Sequence, residues 1–327
     1  MYEKFFGLKE KPFNLTPDPQ FLYLSPEHKK AMACLSYAVY GKQGFVQLTG
    51  EVGSGKTTLL RAFLRSFDGQ IQSSYVVNTS NTFLQLLRTI LVDLGVPHCD
   101  RRDQKEHLLR KLRLYLKDQL AAARPVVIVF DEAQNLDIEV LEEIRMLSNL
   151  ETEKQKLVQI ILAGQTELRD KLDRPELRQL KQRVSVRCHL SPLDRAGTQA
   201  YIGHRLAVAG ASPEIGFTEQ AHDAIFRYSK GIPRLINVLC DAVLLAGYAE
   251  DTKLFDETIV CEVVSEALDG FVPRTRLVHE NDILTGLRVM SSREQGSQVR
   301  AFQVRAGLIR DAARAAQDTL TVSRSSN

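Results

Sequence analysis

The chain has 327 residues, 44% of them hydrophobic, and a formal net charge of +3. That length suits two domains with ordinary cores, and so small a charge does not by itself imply a nucleic-acid or membrane partner. Five dispersed cysteines without a C-x-x-C pair and seven histidines without ligand spacing argue against a disulfide framework or a metal centre, and with no secretory signal and no apolar run of the ~18 residues a membrane helix needs, a cytoplasmic protein is expected.

Residues 1–24 carry Pro12, Pro17 and Pro19 among Phe5, Phe6, Phe13, Phe21 and Tyr23. Proline blocks a long helix here, and the aromatics require a surface. An ordered arm packed on the first domain is expected. Ser25-Pro26 then reads as an N-cap with proline at the first helical position. Ala31, Met32, Leu35, Ala38 and Val39 form the buried stripe of that helix.

Residues 44–49 are apolar and strand-like. Gly50-Glu51-Val52-Gly53-Ser54-Gly55-Lys56-Thr57 follows, fitting G-x-x-x-x-G-K-[ST] at every fixed position. A helical pattern begins at Thr58. Strand, glycine loop and helix together make an anion site from main-chain N–H groups and a helix N-terminus. Residues 50–58 are therefore the expected cradle for ATP. Lys56 would reach the β- and γ-phosphates, and the Thr57 hydroxyl would ligate Mg²⁺.

Further along, 74–78 reads as a strand, and 83–94 and 105–122 as helices. Residues 126–130 form an apolar run of the kind buried on both faces of a sheet, followed by Asp131-Glu132. This resembles a Walker B motif. Asp131 would hold Mg²⁺ through water, and Glu132 would take the proton of the attacking water. Residues 140–150 read as a helix and 157–163 as a buried strand ending in Gly164-Gln165. Gln165 either senses the γ-phosphate or caps the next helix. Asn78 either restrains Glu132 or simply forms a turn. Residues 183–190 alternate like an edge strand. Arg183, at its start, and Arg178 are either arginine fingers aimed at a neighbouring subunit or solvated surface residues.

Alternating strands and helices imply an α/β fold with a parallel sheet sandwiched by helices. From Asp194 the strand pattern disappears. Residues 196–209, 219–229, 233–248 and 257–268 read as helices of a small all-α domain. Arg234 lies in the first turn after Gly231-Ile232-Pro233. A cation there opposes the helix dipole, so an ATP phosphate or a local carboxylate should compensate it. The expected division is an arm at 1–24, a nucleotide-binding α/β domain at 25–192, a helical lid at 193–269, a linker at 270–298, and a helix and tail at 299–327. That last helix is either marginal and solvated or docks a partner.

Together these motifs resemble the AAA+ ATPases across residues 1–268. The resemblance implies a sheet order of 5-1-4-3-2, a lid closing over nucleotide, ATP hydrolysis to ADP and phosphate, and a homo-oligomer. It matches Gln165 to sensor 1, where many members carry Asn, Arg183 to the arginine finger and Arg234 to sensor 2. The opening residues, Met1-Tyr2, Phe6-Gly7-Leu8, Pro12-Phe13, Pro17-Asp18-Pro19, Phe21-Leu22, Leu24-Ser25 and His28, look like those of general secretion pathway protein A. Residues 44–53 and 162–168 strengthen that likeness. That family continues into a membrane span and a peptidoglycan-binding domain, neither of which is expected here. The shorter secretion ATPases of exosortase and exopolysaccharide loci are the nearer resemblance. It implies a role beside envelope secretion or exopolysaccharide export proteins, at the inner membrane only through partners. A DNA-associated AAA+ ATPase, similar to transposition target selectors, is the alternative. The modest charge and the lack of a recognisable DNA-binding motif weigh against it.

Overall fold

A computed structural model describes residues 2–77, 81–97, 103–152 and 155–268. Asn78, the linker at 270–298 and the helix at 299–327 lie outside the described residues. Five strands form one sheet: β1 (Phe45–Gly50), β2 (Gln72–Val76), β3 (Val126–Phe130), β4 (Gln159–Gly164) and β5 (Val184–Leu190). Every pairing is parallel, in the order β2-β3-β4-β1-β5. Read from the other edge this is the expected 5-1-4-3-2.

Period-two alternation sends successive side chains to opposite faces. Ile128, Phe130, Ile160 and Leu162 pack with α4 (Phe83–Asp93), α5 (Lys105–Ala121) and α6 (Ile138–Leu147). Val127, Val129, Ile161 and Ala163 pack against α2 (Pro26–Tyr40) and α3 (Lys56–Arg65). Residues of β1, β3 and β4 are buried throughout, which is why β3 is a continuous apolar run rather than an alternating one; Gln47, Thr49 and Gln159 are buried polar exceptions in the other two. Ser25 caps α2, with Pro26 at its first position, as expected.

Two short helices, α7 (Glu167–Leu172) and α8 (Arg178–Arg183), lead into β5. Arg183 thus closes a helix instead of opening the edge strand, which begins at Val184. The lid comprises α9 (Arg195–Val208), α10 (Glu219–Ser229), α11 (Pro233–Ala249) and α12 (Glu257–Leu268). It also holds a parallel pair absent from the sequence reading, β6 (Gly216–Phe217) with β7 (Leu254–Phe255). Two residues per strand are too few to leave a period-two pattern.

The arm corrects a second expectation. Its aromatics do not chiefly cover the sheet domain. Tyr2, in the short helix α1 (Tyr2–Phe5), Phe6, Phe13 and Phe21 are buried in the lid's own core, with Tyr201, Ile202, Ile236 and Phe255. Arg205 of α9 clamps them there. Its guanidinium donates to the Pro12 carbonyl and, at 3.0 Å, to the Asn14 carbonyl, and lies 4.5 Å from the Phe21 ring centre. Leu22 returns to the core beneath α2 and α3.

Candidate nucleotide site

Adjacent strands β3, β4 and β1 end on the same side, which collects their carboxyl-end loops into one crevice, the usual ligand position in open parallel sheets. The glycine loop bends through two left-handed residues, Gly53 (φ 79°) and Gly55 (φ 96°). A Cβ on Gly50 would stand 2.7 Å from the Leu190 carbonyl of β5. Glycine is required at these points by conformation in two cases and by backbone crowding in the third.

Lys56 is only 5% exposed. Its ammonium donates to the carbonyls of Gly50 (2.8 Å) and Glu51 (2.9 Å). Burial lowers its pKa, and the carboxylates of Glu132 and Asp131 act against that. An ammonium has three donors, so a third remains for an anion beside the two carbonyls. Thr57 and Thr58, half-buried, lie in the first turn of α3. Thr57 Oγ1 donates to Asp131 Oδ2 at 2.7 Å, tying the loop to the end of β3.

Asp131 is 2% exposed and oriented from three sides. Besides Thr57, the Tyr75 hydroxyl donates to the same Oδ2 at 2.7 Å, and the Glu132 amide donates to Oδ1 at 3.0 Å. Burial, then the charge of Asp131, raise the Tyr75 pKa far above its ordinary value, keeping the phenol a donor.

Glu132 has left-handed backbone (φ 52°), a conformation costing a non-glycine residue about 1–3 kcal/mol. Its Oε2 accepts from Gln134 Nε2 at 2.6 Å and from Gln165 Nε2 at 3.2 Å. Gln134 in turn accepts the Gln165 amide at 3.1 Å. A Cβ on Gly164 would come within 2.6 Å of Gln134 Oε1, so the glycine makes room for that amide. Gln165 therefore reaches the acid at the end of the neighbouring strand.

The lid meets the loop directly. The Arg234 amide donates to the Gly53 carbonyl at 3.2 Å, and a Cβ on Gly53 would lie 2.4 Å from Arg234 Cβ. The turn that brings Arg234 there is locked by Gly231, whose carbonyl accepts from Leu193 at 2.9 Å.

Lys56, Thr57, Asp131, Glu132, Gln165 and Arg234 thus converge, and Arg183 does not. Val184 pairs with Phe45 at the start of β1, while the loop begins beyond Gly50. Five residues of strand, at ~3.3 Å each, separate those ends by roughly 16 Å. Arg183 instead donates to Ser148 and, at 2.6 Å, to Asn149 Oδ1.

Tyr75 and Gln134 escaped the sequence reading. Gln134 stands two residues past Glu132 and carried no motif. Tyr75 matters only because β2 lies beside β3. Among the described residues no group of three or more His, Cys, Asp and Glu could hold a metal ion. One carboxylate and one hydroxyl suit Mg²⁺, a cation that takes few protein ligands and completes its shell with phosphate and water.

The parallel sheet, its glycine loop and the helical lid define an AAA+ P-loop NTPase fold, and residues 39–172 match the family model described as an AAA domain. The chain is similar to general secretion pathway protein A of Aeromonas hydrophila, 44% identical over 249 residues. That stretch is 76% of this chain and 45% of that protein, so the chain spans less than half of that relative's length. Among solved structures, the ORC2 protein of Aeropyrum pernix, in ADPNP-ADP complexes, has a TM-score of 0.60 at 16% identity, covering 79% of this chain and 72% of its own. Cdc6p from Pyrobaculum aerophilum has a TM-score of 0.59 at 16% identity, covering 80% and 74%. At these identities the two share the fold alone. No helix among the described residues is long and apolar enough to cross a membrane.

Proposed function

We propose that this chain binds and hydrolyses ATP, assembles with its own kind, and serves an envelope secretion or exopolysaccharide export system. The observation that carries the nucleotide reading is the 2.7 Å bond from Thr57 on the loop to Asp131 on β3. It joins the two halves of a phosphate-and-metal site. Main-chain N–H groups of residues 50–58 would cradle the phosphates, with Lys56 turning from the loop carbonyls to the β- and γ-oxygens. Thr57 and Asp131 would hold Mg²⁺, which neutralises charge on those oxygens. Glu132 would take a proton from water as its oxygen bonds to the γ-phosphorus and the bond to the β-phosphate oxygen breaks. Gln165, which already contacts Glu132, would help place that water. Arg234 would reach the phosphates from the lid. Arg183, at the far end of the strands, would act only in a neighbour's site, which is the reading assembly requires of it.

The likeness to general secretion pathway protein A supports the secretion role. Lys56→Ala should abolish ATP binding, whereas Glu132→Gln should bind ATP and hydrolyse it slowly. Retained micromolar affinity in the first, or normal turnover in the second, would overturn the assignment. Arg183→Ala mixed with Glu132→Gln should regain activity if Arg183 acts in trans.

A further inference from the structure

The sequence signature at the start of the chain includes Ser25 and His28, to which the proposed ATPase chemistry assigns no task. His28 is 4% exposed on the first turn of α2. Its Nδ1 lies 2.8 Å from Ser25 Oγ, and Ser25 is itself 2% exposed. The ring's other nitrogen faces the phosphate loop. A Cβ on Gly55 would stand 3.2 Å from His28 Nε2, and the ring makes a hydrogen bond with the Ser54 main chain. Ser54 is 1% exposed, and Gly55 is the left-handed residue immediately before Lys56.

We propose that His28 is a positioning residue for nucleotide binding: its imidazole is a strut that fixes the Ser54-Gly55 turn of the phosphate loop against the capped end of α2. The inference rests on the nucleotide reading given above. A neutral imidazole offers one N–H and one lone pair on opposite sides of a rigid ring. With Nε2–H on the Ser54 carbonyl, Nδ1 is left to accept the one Ser25 hydroxyl proton, at 2.8 Å, in preference to the Glu27 carboxylate 3.2 Å from the same Oγ. Burial lowers the His28 pKa, in keeping with a neutral ring. The strut acts on the two residues whose amides precede Lys56, where main-chain N–H groups must all point inward before a phosphate arrives. An anion cradle set in advance spends less binding free energy on ordering itself. Gly55 completes the fit, because any side chain there would press on the ring.

Two near-isosteric substitutions separate this role from simple packing. Glutamine places an amide N–H where Nε2 stands, whereas asparagine reaches only the Nδ1 position. Affinity for a fluorescent ATP analogue with Mg²⁺ should fall about tenfold in His28→Asn, the loss of one well-placed hydrogen bond. It should stay within about threefold of wild type in His28→Gln, with the two variants melting at similar temperatures. The rate at saturating ATP should change little in either, so the effect appears in KM and not in kcat. Equal affinities in the two variants, or losses that merely track melting temperature, would overturn the proposal. Lys56→Ala, run alongside, separates a failure of the strut from a failure of the nucleotide site itself.

Discussion

The sheet domain and the lid solve the burial problem in different ways. The sheet is covered on both faces by its own helices, and its central strands are buried from end to end. The lid's core is completed by residues from the far end of the chain: Tyr2, Phe6, Phe13 and Phe21. Directional bonds hold them there, from Tyr2 to Asp241 and from Arg205 to Pro12 and Asn14. In packing terms the arm is part of the lid, although in sequence it adjoins the sheet domain. Where the chain passes from sheet to lid, Leu193 donates to the Gly231 carbonyl within the lid, and the Arg234 amide reaches across to the Gly53 carbonyl of the loop. Nucleotide held by the loop would therefore be felt by lid and arm together.

The largest expected effect is at that junction. Gly231 has φ 73°, and a Cβ there would lie 1.8 Å from the Leu193 carbonyl oxygen. The neighbour is backbone and cannot swing aside. Gly231→Ala should cost about 3 kcal/mol or more, from left-handed strain plus overpacking. Denaturant unfolding should then split into separate lid and sheet transitions. A single transition with unchanged midpoint would show that the junction does not couple the two.

Next is the clamp. Arg205→Ala removes a buried guanidinium with two carbonyl partners and an aromatic ring beneath it. A loss of about 2–3 kcal/mol is expected, with Arg205→Lys in between because an ammonium lacks the planar fork. Trypsin should then cut after Lys9 while the sheet domain stays intact. If that site remains protected, the arm is held by the sheet domain after all.

What the sequence made legible follows the same division. The loop at 50–57 and the pair Asp131-Glu132 of the proposed site are each written in consecutive residues, and β3 and the middle of β4 stood out as apolar runs. The arm's aromatics signalled that a surface was needed without saying which, since nothing local distinguishes a lid face from a sheet face. Arg205 looked like any helical arginine. Gln134 and Tyr75 depend on which strands lie side by side, and that is settled by the whole fold.

Tyr75 supplies the smallest and sharpest test. Its hydroxyl and that of Thr57 both donate to Asp131 Oδ2, at 2.7 Å each. If Mg²⁺ draws Thr57 to itself, Tyr75 is left as the donor that keeps this oxygen in place, from a strand outside both motifs. Groups of this kind orient a ligand without touching the metal. Tyr75→Phe keeps the ring and its packing and removes only the donor. The Mg²⁺ concentration for half-maximal ATPase should rise about threefold, the size of effect expected from one modest hydrogen bond. ATP affinity measured in EDTA should not move, because the loop's own contacts are intact. An equal loss with and without metal would mean that Tyr75 supports the sheet edge and not the carboxylate. The sheet domain's polar site would then be as self-contained as its apolar core.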